Sequence, residues 1–201
     1  MVGIMGGTFN PIHNGHIWLA QQAYERLGLE KVIFIPSGNS YMKQNVLDAQ
    51  NRAAMVKLAI SDFEHFELSM AEVERKGNTY TFETLEELKA QNPDVKYCLL
   101  IGADLLFQIE SWYKPEKIFK LSTIVCTVRD DYDIMSIRQK GAELSRLGAD
   151  IVYLDIPKYD ISSTKIRNRV RNDMPIDGLV PKKVADYIFC KNLYKKNIKE
   201  L

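Results

Sequence analysis

The sequence predicts an α/β fold in which a parallel, doubly wound sheet carries helices on both faces. Strand-length apolar runs alternate with segments of helical period along the 201 residues, the order that builds parallel sheets. The apolar runs are rich in Val, Ile, Leu and Phe with little alternation, as expected where helices cover both faces of a sheet. Since neither a repeat nor a low-complexity stretch divides the chain, we expect residues 1–201 to form a single domain.

Six apolar runs are the strand candidates. In chain order they are Val2–Met5, Lys31–Pro36, Phe66–Val73, Tyr97–Ile101, Thr123–Val128 and Asp150–Leu154. Ligands of doubly wound folds bind at the carboxyl ends of the strands. The junctions between strands and helices are therefore where a site is expected.

Amphipathic segments between the strands are the helix candidates. They are His16–Leu27, Ala49–Ile60, Thr81–Ala90, Ile134–Leu147, Ser162–Arg171 and Pro181–Asn192. Two of them stop at a glycine, Gly28 or Gly148, the residue that most often caps a helix at its C-terminus. The alternation as a whole predicts a Rossmann-like architecture.

Composition and charge disfavour several classes of function. Lys and Arg total 27 against 26 Asp and Glu, a balance that gives no support for binding along nucleic acid. The longest apolar runs are far too short to span a bilayer, and no basic segment precedes an apolar stretch at the N-terminus. We therefore expect a cytoplasmic protein without nucleic-acid or membrane partners. The sequence leaves a homo-oligomer open.

The cysteines agree with a reducing compartment. Cys98, Cys126 and Cys190 are an odd number, lie far apart, and each falls in an apolar segment. Zinc-ligand spacing of the C-x-x-C kind is absent from the sequence. We expect all three thiols to be reduced and buried.

A glycine-rich junction follows the first strand candidate. It reads GGTFNPIHNGH over Gly6–His16 and holds two of the three histidines of the chain. Glycines let the chain turn tightly and let backbone N–H groups approach an anion. His16 lies near a helix N-terminus, where free N–H groups favour phosphate.

Other readings of this junction are weaker. Two histidines on a surface turn would need no function, but zinc binding lacks a cysteine or acidic partner at ligand spacing. The Gly-Lys-Ser/Thr of a Walker A loop and the G-x-G-x-x-G of a dinucleotide-binding turn are both missing. On its own, a glycine-rich turn remains a weak signal.

A second segment with phosphate-binding chemistry opens a helix near the C-terminus. It reads DISSTKIR over Asp160–Arg167. Ser162 or Ser163 can cap the helix, and their hydroxyls with the exposed N–H groups form an anion site. Arg167 can direct two hydrogen bonds at phosphate oxygens. A capped surface helix explains the segment alone, whereas its combination with the first junction favours phosphate binding.

Two residues after the fourth strand candidate can contact a nucleotide. Asp104, in the sequence IGAD, is placed to accept hydrogen bonds from a ribose, although an N-cap would use the same residue. Trp112 can belong to the core. It is also flanked by Ser and Lys, a loop-like setting in which its ring can stack on a heterocycle.

Three further features complete the set of candidates. The segment Arg75–Thr84 reads RKGNTYTFET, with a Gly-Asn turn and a helix cap at Thr81. The loop after the second strand candidate reads IPSGNSYMK and ends at Lys43. Arg52 and Arg129 are isolated arginines that could contact phosphate or adenosine, although a surface charge is the simpler interpretation, and His65 is interpreted as structural.

Several of these segments resemble one family. HNGH resembles the T/H-x-G-H signature of the nucleotidyltransferase superfamily, and GGTFNP resembles its nicotinate-nucleotide adenylyltransferases. ISSTKIR is similar to the second signature of the superfamily, and IGAD…WY, RKGNTYTFET and the closing VPKKVADYI also resemble that family. The chain departs from the family pattern in two places. Asn10 stands where Asp is common, and the Lys43 loop keeps only the lysine of P-P-H-K.

The resemblance implies transfer of the adenylyl group of ATP to nicotinate mononucleotide, in NAD biosynthesis. It implies catalytic roles for His13, His16, Lys43 and Arg167. The implied ATP contacts are Gly6, Gly7, Thr8, Phe9, His13, His16, Gly102, Asp104, Ile161, Ser162, Ser163, Thr164 and Arg167. The implied mononucleotide contacts are Thr8, Asn10, Lys43, Thr81, Thr84 and Trp112. Mg²⁺ is expected with ATP, held by substrate oxygens and water because the sequence offers no acidic cage.

Alternatives to this function stay open. The acceptor could be the amide mononucleotide or another small phosphate ester, as in the phosphopantetheine and glycerol-3-phosphate nucleotidyltransferases. The chain could also be a non-catalytic nucleotide-binding sensor. Class I aminoacyl-tRNA synthetases share a related H-x-G-H element, but 201 residues of near-neutral charge leave no room for a tRNA-binding domain.

Overall fold

Six parallel strands form the centre of the structure, a computed structural model that describes residues 1–39, 46–128, 133–157 and 159–195. The strands are β1 (Val2–Gly7), β2 (Lys31–Pro36), β3 (Phe66–Leu68), β4 (Tyr97–Gly102), β5 (Ser122–Val128) and β6 (Ile151–Asp155). Their order across the sheet is β3-β2-β1-β4-β5-β6, with every neighbouring pair parallel. This is the strand order of doubly wound nucleotide-binding folds, and it confirms the predicted fold class.

Helices connect the strands. They are α1 (Asn14–Leu27), α2 (Ala49–Ile60), α3 (Ala71–Glu74), α4 (Thr81–Gln91), α5 (Ala103–Leu106), α6 (Pro115–Leu121), α7 (Ile134–Arg146), α8 (Ser163–Arg171) and α9 (Lys182–Cys190). A 3-10 turn at Ile109–Ser111 separates α5 from α6. α1 ends at Gly28, whose backbone is left-handed with φ of 58°, as predicted for a C-terminal glycine cap.

Two apolar cores lie on opposite faces of the sheet. On one face, buried side chains of α1, α2, α8 and α9 pack together, with Met55 and Ile188 fully buried. On the other face, α4, α5, α6 and α7 cover the sheet, and Leu85 and Leu144 are fully buried. Helices on both faces explain why the strand sequences show little alternation.

The connection from β3 to β4 crosses the sheet beside β1. The strands before this crossover lie on one side of β1, and β4 to β6 lie on the other. The loops that leave β1 and β4 therefore separate and open a crevice at the carboxyl end of the sheet, which is where such folds bind ligands.

Three differences from the predicted elements are local. The third strand ends at Leu68 rather than Val73, because only three residues pair with β2 at the sheet edge and the chain then turns into α3. The last helix ends at Cys190 rather than Asn192. The short elements between residues 103 and 121 were not predicted, because none is long enough to show a helical period.

The described helices are short, and two of the three cysteines are buried. Within the described ranges, no helix is long and apolar enough to cross a bilayer. Cys98 and Cys126 are buried free thiols, as predicted, but the prediction for Cys190 is wrong because its side chain is exposed. On α9 the buried residues are Val184, Ala185 and Ile188, so Cys190 lies off the apolar face.

Candidate active site

The glycine-rich junction forms a loop whose two histidine rings lie against each other. α1 begins at Asn14, two residues earlier than predicted, and His13 is its N-cap residue. The rings of His13 and His16 stack with centroids 3.7 Å apart, and the backbone N–H of His13 donates to Nδ1 of His16 at 3.2 Å. Because Nδ1 accepts this hydrogen bond, the neutral His16 ring carries its proton on Nε2. His16 is therefore fixed as an Nε2–H donor.

Phe9 packs against the His16 ring. Its side chain is buried and meets His16 edge to face, with centroids 5.1 Å apart. The backbone of Phe9 is left-handed, with φ of 47°, a conformation that costs a non-glycine residue about 1–3 kcal/mol. Since the Phe9 ring is occupied by packing, any contact with ATP would come from its backbone, and the predicted ATP contact stays a prediction.

Arg52 holds the loop in place through hydrogen bonds, a role that the sequence did not indicate. Its side chain is only 2% exposed, so its interpretation as a surface charge is wrong. The guanidinium donates to the carbonyl oxygens of Thr8 at 2.7 Å, Leu47 at 2.8 Å, Ser37 at 2.6 Å and Gly38 at 2.9 Å. Burial lowers the pKa of Arg52 from its usual value. Arg52 thus joins the loops that follow β1 and β2.

The start of α8 lies against the same loop, so the structure brings the two phosphate-binding segments together. Ser162 caps the helix, accepting a hydrogen bond from the backbone N–H of Lys165 at 3.2 Å. Ser163 Oγ donates to the carbonyl of Pro11 at 2.8 Å, and Arg167 Nη1 donates to the carbonyl of Asn10 at 2.9 Å. Arg167 Nη2 donates to Thr164 Oγ1 at 3.1 Å. The remaining member of the segment, Ile161, packs against the core.

A cavity of about 290 Å³ lies beside the loop at the carboxyl end of the sheet. Its lining brings together four of the predicted mononucleotide contacts, which come from α4 and from the residues that directly follow β1 and the 3-10 turn: Thr8, Thr81, Thr84 and Trp112. Gly6 and Gly7 form part of its wall. Trp112 is half-buried, and its Nε1 is buried without a hydrogen-bond partner among the described residues. A ring with an unused donor beside an open cavity suits a polar aromatic ligand.

A buried carboxylate in the cavity wall was missed by sequence reasoning. Glu72 lines the cavity and accepts a hydrogen bond from the Thr84 hydroxyl at 2.8 Å, while Arg75 donates to that hydroxyl at 3.1 Å. Burial raises the pKa of Glu72, although the hydrogen bond from Thr84 and the charge of Arg75 oppose this effect. The Thr84 proton is therefore directed at Glu72. The predicted contact of Thr84 with the mononucleotide stays a prediction.

The adenosine side of the predicted site lies at the end of β4. Gly102 is the N-cap of α5 and Asp104 lies in the first turn, so the alternative reading of Asp104 as the cap is wrong. The Asp104 carboxylate is exposed and folds back over Gly102, with Oδ1 2.6 Å from where a Cβ would stand at that position. A side chain at Gly102 would displace this carboxylate.

Three candidates remain. Lys43 and Arg129 fall outside the described residues. His65 stacks on Tyr24 with centroids 3.8 Å apart, and its Nε2 lies 2.9 Å from Gln21 Oε1, which agrees with the structural role predicted for it. Within the described part of the chain, no group of three or more His, Cys, Asp or Glu side chains could hold a metal ion.

Comparison with known proteins gives one consistent result. The cytidylyltransferase-like family model matches residues 4–169. A probable nicotinate-nucleotide adenylyltransferase of Lachnoclostridium phytofermentans is 42% identical over 196 residues, covering 96% of this chain and 98% of the relative. A protein of the same description from Clostridium botulinum (strain Alaska E43 / Type E3) is 41% identical over 197 residues, with the same coverage.

Solved structures show the same fold. Plasmodium falciparum nicotinic acid mononucleotide adenylyltransferase complexed with NaAD superposes with a TM-score of 0.80 at 22% identity, covering 96% of both chains. A putative nicotinate-nucleotide adenylyltransferase from Vibrio parahaemolyticus gives a TM-score of 0.70 at 21% identity, covering 98% of this chain and 96% of that one. At these identities the likeness concerns the fold.

Proposed function

The chain belongs to the cytidylyltransferase-like family and, within it, to the nicotinate-nucleotide adenylyltransferases, and we propose that it adenylylates nicotinate mononucleotide. The reaction consumes ATP and releases nicotinate adenine dinucleotide (deamido-NAD) and pyrophosphate, as a step of NAD biosynthesis. The observation that carries this proposal is the junction between the start of α8 and the loop Gly6–His16, here called the histidine loop. Ser163 donates a hydrogen bond to the Pro11 carbonyl, and Arg167 donates one to the Asn10 carbonyl. This junction joins the two segments that are proposed to bind phosphate. The first of them, through Gly6, Gly7 and Thr8, also lines the cavity that has Trp112 in its wall.

The proposed reaction is a direct in-line displacement. A phosphate oxygen of the mononucleotide attacks the α-phosphorus of ATP, and a new P–O bond forms. The bond to the bridging oxygen breaks, and its electron pair leaves with pyrophosphate. A phosphate monoester is already a nucleophile at neutral pH, so the protein's contribution is positioning and stabilisation of charge.

The histidines supply the charge stabilisation in this proposal. The Nε2–H of His16 donates to an ATP phosphate oxygen, and its orientation is supported by the hydrogen bond that its Nδ1 accepts from the His13 backbone. His13 donates to the same phosphates from its place at the start of α1, where the helix dipole favours negative charge. Lys43 and Arg167 are proposed as further contacts to the phosphates.

The remaining predicted contacts divide between the two substrates. The ATP side comprises Gly6, Gly7, Thr8, Phe9, Gly102, Asp104 and the α8 start from Ile161 to Thr164. The mononucleotide lies in the cavity against Thr8, Thr81, Thr84 and Trp112, with the backbone N–H groups at the start of α4 available for its carboxylate. Asn10, which is not among the residues that line this cavity, is proposed as a further contact of the mononucleotide. Mg²⁺ enters as part of the substrate MgATP, held by phosphate oxygens and water.

The cavity and the thiols support two finer parts of the proposal. Donors at a helix start favour the acid mononucleotide over the amide, because a carboxylate only accepts hydrogen bonds. Free thiols at Cys98 and Cys126 are typical of a reducing compartment, which supports a cytoplasmic location.

The test is a synthesis assay with purified protein, ATP, Mg²⁺ and either nicotinate or nicotinamide mononucleotide, measuring dinucleotide and pyrophosphate together. We expect strong turnover of the acid and weak turnover of the amide. Equal rates would remove the account of carboxylate selection but keep the reaction class. A folded protein that makes no dinucleotide from either would contradict the proposal and favour another acceptor or a nucleotide sensor.

A histidine substitution tests the proposed role of the loop. His16→Ala should lower kcat by about 10²–10³-fold, the usual cost of removing one donor to a transition-state oxyanion. His65→Ala is the matched control, because the same residue type is replaced where it contacts Gln21 and Tyr24 in the C-terminal half of α1, whereas the loop lies at the N-terminus of that helix. A His16→Ala variant with the turnover of the control would end the assignment of a catalytic role to His16.

A further inference from the structure

The last described residues of the chain return to the histidine loop. After α9, the backbone N–H of Leu193 donates to the carbonyl of Ile188 at 2.9 Å, and the chain turns back towards the sheet. The hydroxyl of Tyr194 then donates to Oδ1 of Asn10 at 2.8 Å, across 184 residues of sequence. Tyr194 lies outside residues 4–169, which the family model matches, whereas Asn10 lies inside them.

The turn that delivers Tyr194 is conformationally costly. The backbones of Asn192 and Tyr194 are both left-handed, with φ of 50° and 63°. Asn tolerates this region, whereas a bulky residue such as Tyr rarely occupies it. A chain end that only needed to finish α9 would not require this conformation at Tyr194. The conformation brings the tyrosine side chain onto the loop.

The environment of the hydroxyl keeps it a donor. Tyr194 is half-buried, close enough to Arg52 and Arg167 for both cations to favour its ionised form, with Asp48 opposing them. Burial outweighs these charges and raises the pKa of Tyr194 above its usual range. The hydroxyl therefore keeps its proton at neutral pH, and its acceptor is the Asn10 amide oxygen.

The contact fixes the orientation of the Asn10 amide. With Oδ1 accepting from Tyr194 and the backbone carbonyl accepting from Arg167, Asn10 is held at two points. Its Nδ2, on the opposite side of the amide from Oδ1, has no hydrogen-bond partner among the described residues. Asn10 belongs to the proposed mononucleotide contacts.

We propose that Tyr194 is a positioning residue of the adenylyl transfer, which orients Asn10 so that its amide N–H donates to the mononucleotide. This inference rests on the proposed function. It makes the segment after α9 a working part of the active site, and it gives Asn10 the role of a neutral donor.

The test compares two tyrosine-to-phenylalanine variants of the full chain. Tyr194→Phe removes only the hydroxyl, and kcat/KM for the mononucleotide should fall about five- to tenfold, the equivalent of one hydrogen bond. KM for ATP should stay unchanged. Tyr187→Phe is the matched control, because the Tyr187 hydroxyl donates to an asparagine Oδ1 at 2.7 Å, that of Asn51 on α2. It should lose a comparable amount of stability but no more than twofold in activity.

A double-mutant cycle separates positioning from general destabilisation. In an Asn10→Ala background, Tyr194→Phe should cause no further loss of kcat/KM, since its target is gone. Additive losses, or equal losses in Tyr194→Phe and Tyr187→Phe, would overturn the positioning role. Full activity of Tyr194→Phe in an active wild type would overturn it as well and leave the proposed function intact. A wild-type chain that makes no dinucleotide would overturn both.

Discussion

Replacing Arg52 by methionine should cost far more stability than replacing an exposed arginine. The Arg52 guanidinium is 2% exposed and donates to the carbonyls of Thr8, Ser37, Gly38 and Leu47. No carboxylate forms an ion pair with it among the described residues. Its role is therefore to satisfy buried backbone acceptors, and methionine would fill much of the volume without supplying any donor.

The size of the effect follows from the acceptors. A buried carbonyl that loses its donor costs about 1–3 kcal/mol, so four such carbonyls amount to about 4–12 kcal/mol. Removing the buried guanidinium recovers several kcal/mol of desolvation free energy. Water can also reach some of the carbonyls that have lost their donor. We expect the free energy of unfolding to fall by about 3–5 kcal/mol, at the upper end for single substitutions.

Urea denaturation at neutral pH measures this change. Arg26→Met is the control, because exposed Arg26 on α1 donates only to Gln22 and to the carbonyl of Asp155 and should lose at most about 1 kcal/mol. Arg52→Lys, which keeps the charge but has three N–H groups in place of five, should fall between the two. If Arg52→Met proved as stable as the control, the interpretation of Arg52 as a donor to buried carbonyls would be refuted.

Three further predictions concern titration, reactivity and binding. Because burial raises the pKa of Glu72, its stabilising protonated form is lost as pH rises from about 4.5 through the folded-state pKa. The Glu72→Gln variant should therefore gain stability relative to wild type across that range, and equal urea midpoints at every pH would contradict this. Burial raises the pKa of Cys98 and Cys126 to about 12, so a thiol reagent at pH 8 should titrate only Cys190 in the folded protein and all three thiols in denaturant. Nicotinate mononucleotide should quench the fluorescence of Trp112 in the cavity, and the Trp112→Phe substitution should abolish this quenching. The control substitution Trp18→Phe should leave it in place.

Local signals in the sequence carried much of the fold and the shape of the site. Apolar runs that alternate with segments of helical period predicted all six strands, and the glycine at the end of α1 predicted its C-terminal cap. The segments around His16, Ser162 and Trp112 were recognisable because each is a short run with a fixed spacing. The conformation of such a run depends mainly on the residues within it, so a local sequence pattern is enough to recognise it.

The residues that hold these segments together left no local signal. Arg52 sits in a helix, where an isolated arginine usually faces water, and its acceptors come from the two loops that follow β1 and β2. Glu72 was assigned to a strand that in fact ends at Leu68. Tyr194 follows a helix end and belongs to no motif. Their roles depend on contacts between distant parts of the chain, which a single sequence does not display.

The anchors of the histidine loop have a consequence for the order in which the protein is made. Residues 8–11 are held by partners that lie 44, 152, 157 and 184 positions later in the chain. During synthesis the loop leaves the ribosome early, yet most of its partners are translated last. A nascent or truncated chain can contain both histidines and all six strands while the anchors at Ser163, Arg167 and Tyr194 are still missing. Enzymatic activity should therefore require synthesis through Tyr194, and premature stops before that residue should lower it even where the sheet still folds.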